Sequence, residues 1–221
     1  MKILDNITNT VRDDLRVEIK KGSRVSIAAA CFSMYAYKEL KKQLETIDEF
    51  EFIFTSPTFV KEKAEKQKRE FYIPRISRET SLYGTEFEIK LRNEMTQRAI
   101  AKECADWIRK KATFKSNKTD SPMQSFVVTE ASRQQAEAIS AVFAPVSGFT
   151  AVDLGYQRGN AISNFVQKID EPNFTAQYLQ LFDQIWKDPA KLQDVTKTIC
   201  EHIESVYQEN SPEKVYFIIL Y

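Results

Sequence analysis

Histidine is nearly absent from this sequence, since the 221 residues contain only His202. A zinc site with three histidines and a catalytic pair of histidines are therefore excluded within a single chain. Glycine is also scarce, with five residues, and neither the GxxxxGK[ST] pattern nor the GxGxxG pattern of phosphate-binding loops occurs. We therefore expect no nucleotide cofactor in this chain.

Cysteine and long apolar runs are also limited. The three cysteines, Cys31, Cys104 and Cys200, are far apart and form no CxxC pair, which is typical of reduced, buried thiols without a disulfide framework. No run of about 18 apolar residues occurs, and the N-terminus lacks the apolar segment of a signal peptide. We therefore expect a soluble cytoplasmic protein that does not enter a membrane.

Hydrophobic residues make up 43% and charged residues 29% of the chain, as in a globular protein. The apolar run from Arg24 to Phe32 predicts a buried strand, and Ser33 is a suitable N-cap for a helix over 35–46. With a second strand at 51–55, this segment is a predicted βαβ unit of an α/β fold. The remaining pattern predicts strands at 126–129 and 141–146 and helices at 3–19, 85–111, 161–168, 174–187 and 189–209.

The last residues of the sequence allow two interpretations. Ser211 and Pro212 are a good N-cap and first helical residue, and the run from Val215 to Leu220 is apolar nearly all round. This run is either a final β-strand or a helix that is cut off after about two turns. Because an unfinished apolar helix is a poor terminus, the second interpretation predicts that the chain is the front of a longer protein.

Charge is unevenly distributed along a chain whose net charge is only +1. Residues 61–118 contain 16 basic and 9 acidic residues. Two basic clusters in this segment, the second with Trp107 and Phe114 nearby, are suited to a phosphate backbone, although mixtures of lysine and glutamate also solvate ordinary helices. The candidate nucleic-acid-binding residues are Lys61, Lys63, Lys66, Lys68 and Arg69 in the first cluster and Arg109, Lys110, Lys111, Lys115 and Lys118 in the second.

The sequence resembles a known family over nearly its whole length. Two segments, VSIAAACFSMYAYKELKKQL and EFIFTSPTF, are similar to the start of a phospholipase D-like domain. Three more are REFYIPRISRETSLYGTEFEIKLRNEMTQRAIAKECADWIRKKATFKSN, GFTAVDLGYQRGNAISN and IWKDPAKLQDVT. They resemble the N-terminal region of bacterial helicase-like proteins, in which a phospholipase D-like domain precedes an SNF2-type superfamily 2 ATPase. The resemblance implies a phospholipase D-like mixed sheet flanked by helices over 1–160. It also implies a helical extension over 161–221 that leads toward a motor beyond Tyr221.

Active members of the phospholipase D superfamily carry an HxKxxxxD motif and a downstream GSxNFT-like segment. Their histidine forms a covalent bond to phosphorus, and their lysine and serine hold the phosphate. By resemblance, the degenerate site positions in this chain are Met123 for the histidine, Ser125 for the lysine, Glu130 for the aspartate, and Ser147 and Thr150 in the downstream segment. No phosphohistidine can form without the imidazole, and His202 is not part of an HxK motif. A helix-surface or capping role is favoured for His202 over that of a catalytic base. The resemblance therefore implies a pseudo-enzyme with no catalytic residue.

These implications define the expected function. We expect a non-catalytic DNA-binding or regulatory N-terminal module of a DNA-dependent helicase-like ATPase. ATP and Mg²⁺ would belong to the parent motor, a hydrolase, and this chain would hold neither cofactor nor metal. Its expected partners are DNA, its own C-terminal motor and, by resemblance, a second copy in a homodimer. Two alternatives stay open: a protein–protein scaffold, and a divergent phosphodiesterase or nuclease that uses Glu88, Glu130 or Asp153 to hold a metal.

Overall fold

The computed structural model describes residues 1–57, 95–131, 140–159 and 164–208. These ranges contain eight strands and five helices. The strands are β1 (Lys2–Leu4), β2 (Arg24–Ala29), β3 (Glu49–Phe54), β4 (Ala112–Asn117), β5 (Phe126–Glu130), β6 (Ala141–Ala144), β7 (Val166–Ile169) and β8 (Leu192–Asp194). The helices are α1 (Val11–Glu18), α2 (Met34–Leu44), α3 (Met95–Lys111), α4 (Pro172–Trp186) and α5 (Thr196–Gln208).

The eight strands form one mixed sheet in the order β1-β7-β6-β5-β2-β3-β4-β8. The strands β2, β3 and β4 are parallel to one another, and every other neighbouring pair is antiparallel. Consequently β2, β3, β4 and β6 end at one edge of the sheet, where β5 and β7 begin, and we call it the C-terminal edge. The predicted mixed α/β fold is confirmed, and its likeness to phospholipase D stays a prediction.

The predicted βαβ unit is confirmed in β2, α2 and β3. All six residues of β2 pair in parallel with the six residues of β3. Ser33 caps α2 as expected, because its Oγ accepts a hydrogen bond of 3.1 Å from the backbone N–H of Tyr35. Two apolar runs with a capping serine after the first are therefore sufficient to predict β2, α2 and β3 from the sequence.

Helices cover the two faces of the sheet unequally. Alternation along β3 directs its phenylalanines to one face and Ile53 to the other. The larger core lies between the first face and α1, α2, α3 and α5, and the smaller core lies between the second face and α4. In the larger core the ring of Phe32 makes a T-shaped contact with that of Phe114, with centroids 5.0 Å apart.

The first predicted helix, over 3–19, is wrong in its first half. The structure places β1 there, and α1 begins only at Val11. The cause is Asp5, whose Oδ1 accepts hydrogen bonds from the backbone N–H groups two, three and four residues later and closes a turn. Ile7, an apolar residue of the predicted helix, is exposed in this turn.

Two helix predictions in the C-terminal third are wrong in part. The helix predicted over 189–209 is confirmed over α5, but its start contains the strand β8. Part of the helix predicted over 161–168 is the strand β7. Pro189 lies in a turn before β8, where Asp188 Oδ1 accepts a 2.9 Å hydrogen bond from the N–H of Ala190. The segment 161–221 is therefore not purely helical, since two of its strands join the sheet that the first 160 residues build.

The other element predictions divide into two groups. The helix predicted over 174–187 is confirmed as α4, and the described part of the helix over 85–111 is confirmed as α3. The strand β4, which directly follows α3, was not predicted, because Lys115 and its polar neighbours hide an alternating pattern. The first basic cluster, Glu88 and the run from Val215 to Leu220 lie outside the described residues.

Candidate functional site

Four of the five degenerate site positions lie at the C-terminal edge of the sheet. Met123 and Ser125 directly precede β5, and Ser147 and Thr150 follow β6. The two segments contact each other, because the N–H of Val146 donates a 3.4 Å hydrogen bond to the carbonyl oxygen of Ser125. The fold therefore brings both segments to the edge where the parallel strands end, which is where open α/β sheets bind ligands.

A groove of about 460 Å³ opens at this edge, on the face of the sheet that α4 covers. None of its lining residues is charged: they are Met123, Gln124, Ser125, Phe126, Ala144, Pro145, Gln167 and Tyr178. Two amides and two hydroxyls can hydrogen-bond a ligand there, and the other side chains offer apolar contact. The groove is chemically suited to binding an uncharged surface, and its lining includes no imidazole or lysine.

The helix α4 borders this groove with an apolar flank. Tyr178 lines the groove, and Phe174 and Leu181 lie one turn before and one turn after it on the same side of the helix. The side chains of Phe174 and Leu181 are 55% and 42% exposed. Exposed apolar surface therefore continues from the groove along the flank of α4.

The downstream positions are occupied by local structure. Thr150 Oγ1 donates a hydrogen bond to the Asp153 carboxylate and accepts one of 3.2 Å from the Asp153 N–H. Gly148 lies against the end of β2, so that a Cβ at this position would be 2.5 Å from both Asp153 Oδ2 and Cys31 Sγ. Ser147 is exposed, and its carbonyl oxygen accepts a 2.9 Å hydrogen bond from the N–H of residue 30. This segment is thus a close-packed turn.

Glu130 lies at the far end of β5, away from the groove. Its Oε2 is 3.5 Å from Nη1 of Arg24, and the same guanidinium donates hydrogen bonds to Glu51 of β3 and Asp183 of α4. Glu49 Oε2 is 3.9 Å from Arg24 Nε. We call these five residues the Arg24 cluster, and it ties three strands and α4 together.

Burial and hydrogen bonding shift the pKa values of Glu51 and Arg24 in the Arg24 cluster. Burial raises the pKa of Glu51, although the hydrogen bonds from Arg24 act in the opposite direction. Burial also lowers the pKa of Arg24, but hydrogen bonds to Asp183 and Glu51 outweigh it and raise the pKa overall. The sequence did not single out Arg24, Glu51 or Asp183 as members of a site. The available signal was an arginine at the start of the apolar strand β2 and two glutamates in the apolar strand β3.

Two lysines of the second basic cluster bind the C-terminal ends of helices. Lys111 Nζ donates hydrogen bonds to the carbonyl oxygens of Glu45 and Ile47, just past the end of α2. Lys115 Nζ donates a 2.8 Å hydrogen bond to the carbonyl oxygen of Trp186, the last residue of α4, and lies 4.3 Å from its ring centroid. Both ammonium groups complement the partial negative charge at a helix terminus.

The remaining three basic residues do not form one patch. Arg109 forms ion pairs with Asp106 and Glu204. Lys110 lies on the rim of a cleft between α2 and α3 that also contains Glu45, Glu103 and Asp106. Lys118 is exposed directly after β4, and Lys110 lies just before this strand, so the two are separated by about 20 Å of extended chain.

Other chemistry-bearing residues are dispersed. His202 is on α5, which packs on the face opposite the groove. Over the described ranges, no three histidine, cysteine or acidic side chains are grouped to hold a metal ion. The three cysteines are free, as expected, and burial raises the pKa of the Cys104 and Cys200 thiols. Cys31 is only half-buried.

No described helix combines the length and the apolar character that crossing a bilayer requires. Neither a protein-family model nor a curated protein matches the chain.

Proposed function

We propose that this chain is a non-catalytic regulatory module of a DNA-dependent helicase-like ATPase. The proposal is carried by the uncharged groove at the C-terminal edge, where Met123 and Ser125 occupy the positions that the resemblance assigns to a catalytic histidine and lysine. A thioether forms no phosphoenzyme, and a serine carries no positive charge to hold a phosphate. The likeness to helicase-like proteins rests on the sequence stretches named above.

The absence of catalysis is tested directly. The purified chain is incubated with supercoiled plasmid and with bis(p-nitrophenyl) phosphate in the presence of Mg²⁺ or Mn²⁺, and we expect no cleavage of either substrate. Cleavage that copurifies with the chain and is lost in Ser125→Ala or Glu130→Ala would overturn the proposal. The divergent nuclease would then take its place.

Protein contact is the mode of action that the groove favours. Its neutral lining and the exposed flank of α4 suit an apolar protein surface better than a phosphate backbone. The proposed partners are the motor of the parent protein, which would supply ATP and Mg²⁺ binding, and a second copy of this chain.

Sedimentation velocity of wild type and Leu181→Lys over a wide concentration range tests whether a second copy is a partner. A dimer that is lost in Leu181→Lys supports it, and a wild-type monomer throughout removes the homodimer.

DNA binding is a second candidate function, favoured by the excess of basic residues over 61–118. Fluorescence anisotropy with a labelled duplex should give an affinity that falls linearly with salt on logarithmic axes. Replacing Lys110 and Lys118 by glutamine should lower the salt slope by at most about one each. The matched variant Lys111→Gln should leave the slope unchanged, because its ammonium is bound to carbonyl oxygens. No binding at low salt would contradict this candidate and favour the scaffold.

A further inference from the structure

The smaller core is covered by one weakly buried helix. Of the fifteen residues of α4, Thr175 and Phe182 are buried, and four more pack against the sheet while only partly buried: Tyr178, Leu179, Ile185 and Trp186. The sheet beneath it is buried and apolar, and its residues there are Ala28, Ile53, Phe126, Val128, Val142 and Ile169. On the opposite face, α3 alone buries six side chains from Ile100 to Ile108 in the larger core. Apolar packing therefore attaches α4 less firmly than it attaches α3.

Besides the apolar packing, polar contacts attach the C-terminal half of α4 to the sheet. Asp183 receives a hydrogen bond from Arg24 Nη2, and the guanidinium lies 5.9 Å from the ring centroid of Phe182. Lys115 holds the end of the helix at Trp186. At the other end, the N-terminal ammonium group pairs with the exposed carboxylates of Asp170 and Glu171, 3.1 and 3.3 Å away, and such exposed pairs stabilise little.

The ion pair between Arg24 and Asp183 can break without leaving an unpaired charge on the sheet. Arg24 retains Glu51 and Glu130 from the neighbouring strands, so its charge stays compensated when α4 leaves. Asp183 is 35% exposed and gains water as it departs. Separating Asp183 from Arg24 therefore costs the free energy of a partly exposed ion pair. This is well below the free energy that is lost when a fully buried ion pair is broken.

We propose that α4 is a releasable cover, which opens as a unit while the sheet and the other helices stay folded. Its opening exposes the apolar sheet face, and this face is continuous with the groove because Phe126 of β5 and Ala144 of β6 belong to both. The closed helix therefore limits access to an apolar surface larger than the groove itself. This inference does not require that the chain belongs to a helicase-like protein.

Hydrogen exchange of the whole chain, followed by mass spectrometry under native conditions, tests the proposal. Amides of α4 should exchange at least about tenfold faster than those of α3 and α5. Asp183→Asn should accelerate exchange in α4 by about threefold to tenfold and leave α3 unchanged. The control is Asp106→Asn, which removes a more exposed aspartate–arginine pair within α3 and should not affect α4.

Two results would overturn the releasable cover. One is exchange of α4 at the same rate as α3 in the wild-type chain, which would mean that α4 opens only by global unfolding. The other is uniform acceleration of all helices by Asp183→Asn. The wild-type comparison decides the question even where the variant does not fold.

Discussion

Arg24 is a single cation surrounded by four carboxylates, which come from β3, β5 and α4. Glu51 is its most buried partner, with a side chain that is 5% exposed. A carboxylate in that position is tolerated only while a cation accompanies it. The two residues should therefore respond very differently to mutation.

Removal of the cation should be far more costly than removal of its buried partner. Arg24→Met should lower the free energy of unfolding by about 3 to 5 kcal/mol, because Glu51 is left buried and unpaired. Glu51→Gln should cost little, since Arg24 keeps Asp183 and Glu130. Urea unfolding of both variants and of the double variant measures this. The double variant should recover part of the loss, and additive losses would contradict the argument.

The pH dependence of stability should also change in Glu51→Gln. Because the folded state raises the pKa of Glu51, its proton stabilises the fold below the ordinary value of 4.5, and this contribution is lost as the pH rises through the raised pKa. Glutamine does not titrate. The unfolding free energy of Glu51→Gln relative to wild type should therefore increase with pH above 4.5. Urea unfolding at several pH values measures the difference, and a flat or falling difference would contradict the assignment.

At the scale of elements, two neighbouring lysines of α3 have different roles: Lys111 caps a helix, and Lys110 is a surface residue. Lys111 binds the carbonyl oxygens of Glu45 and Ile47, and the exposed Lys110 lines a cleft between α2 and α3. Lys111→Met should lower stability by about 1 to 2 kcal/mol, because it leaves those carbonyl oxygens without their donor. Lys110→Met should stay within about 0.5 kcal/mol of wild type. Thermal unfolding of the two variants checks this, and equal effects would refute the capping role.

Some elements of this fold can be predicted from local sequence signals, and others cannot. The elements β2, α2 and β3 follow from continuous apolar runs and one capping serine, which are local signals. The strands β7 and β8 have three or four residues each, and their stability comes from pairing with strands far away in the sequence. The resemblance singled out Met123 and Ser125, but their position at the C-terminal edge comes from the structure. The partners of Arg24 come from three other elements, so only the assembled sheet reveals them.

At the scale of the whole molecule, positive and negative charges nearly cancel. The net charge is +1 and the isoelectric point is about 7.6. Mutual repulsion between copies is therefore weakest near that pH, where the exposed flank of α4 is free to promote association. Solubility should pass through a minimum near pH 7.6. Precipitation by polyethylene glycol across the pH range measures this, and a monotonic trend would contradict it.

The order of the strands has a consequence for how the chain acquires its structure. Within the described part of the chain, the first strand, β1, pairs with β7 alone, where Lys2 lies opposite Lys168. A ribosome must therefore synthesise three quarters of the sequence before its first strand finds a neighbour. Until then β6 also presents an unpaired edge, which is prone to intermolecular pairing. Such distant pairings make folding slow, so the nascent chain passes through a long interval in which a chaperone is of use.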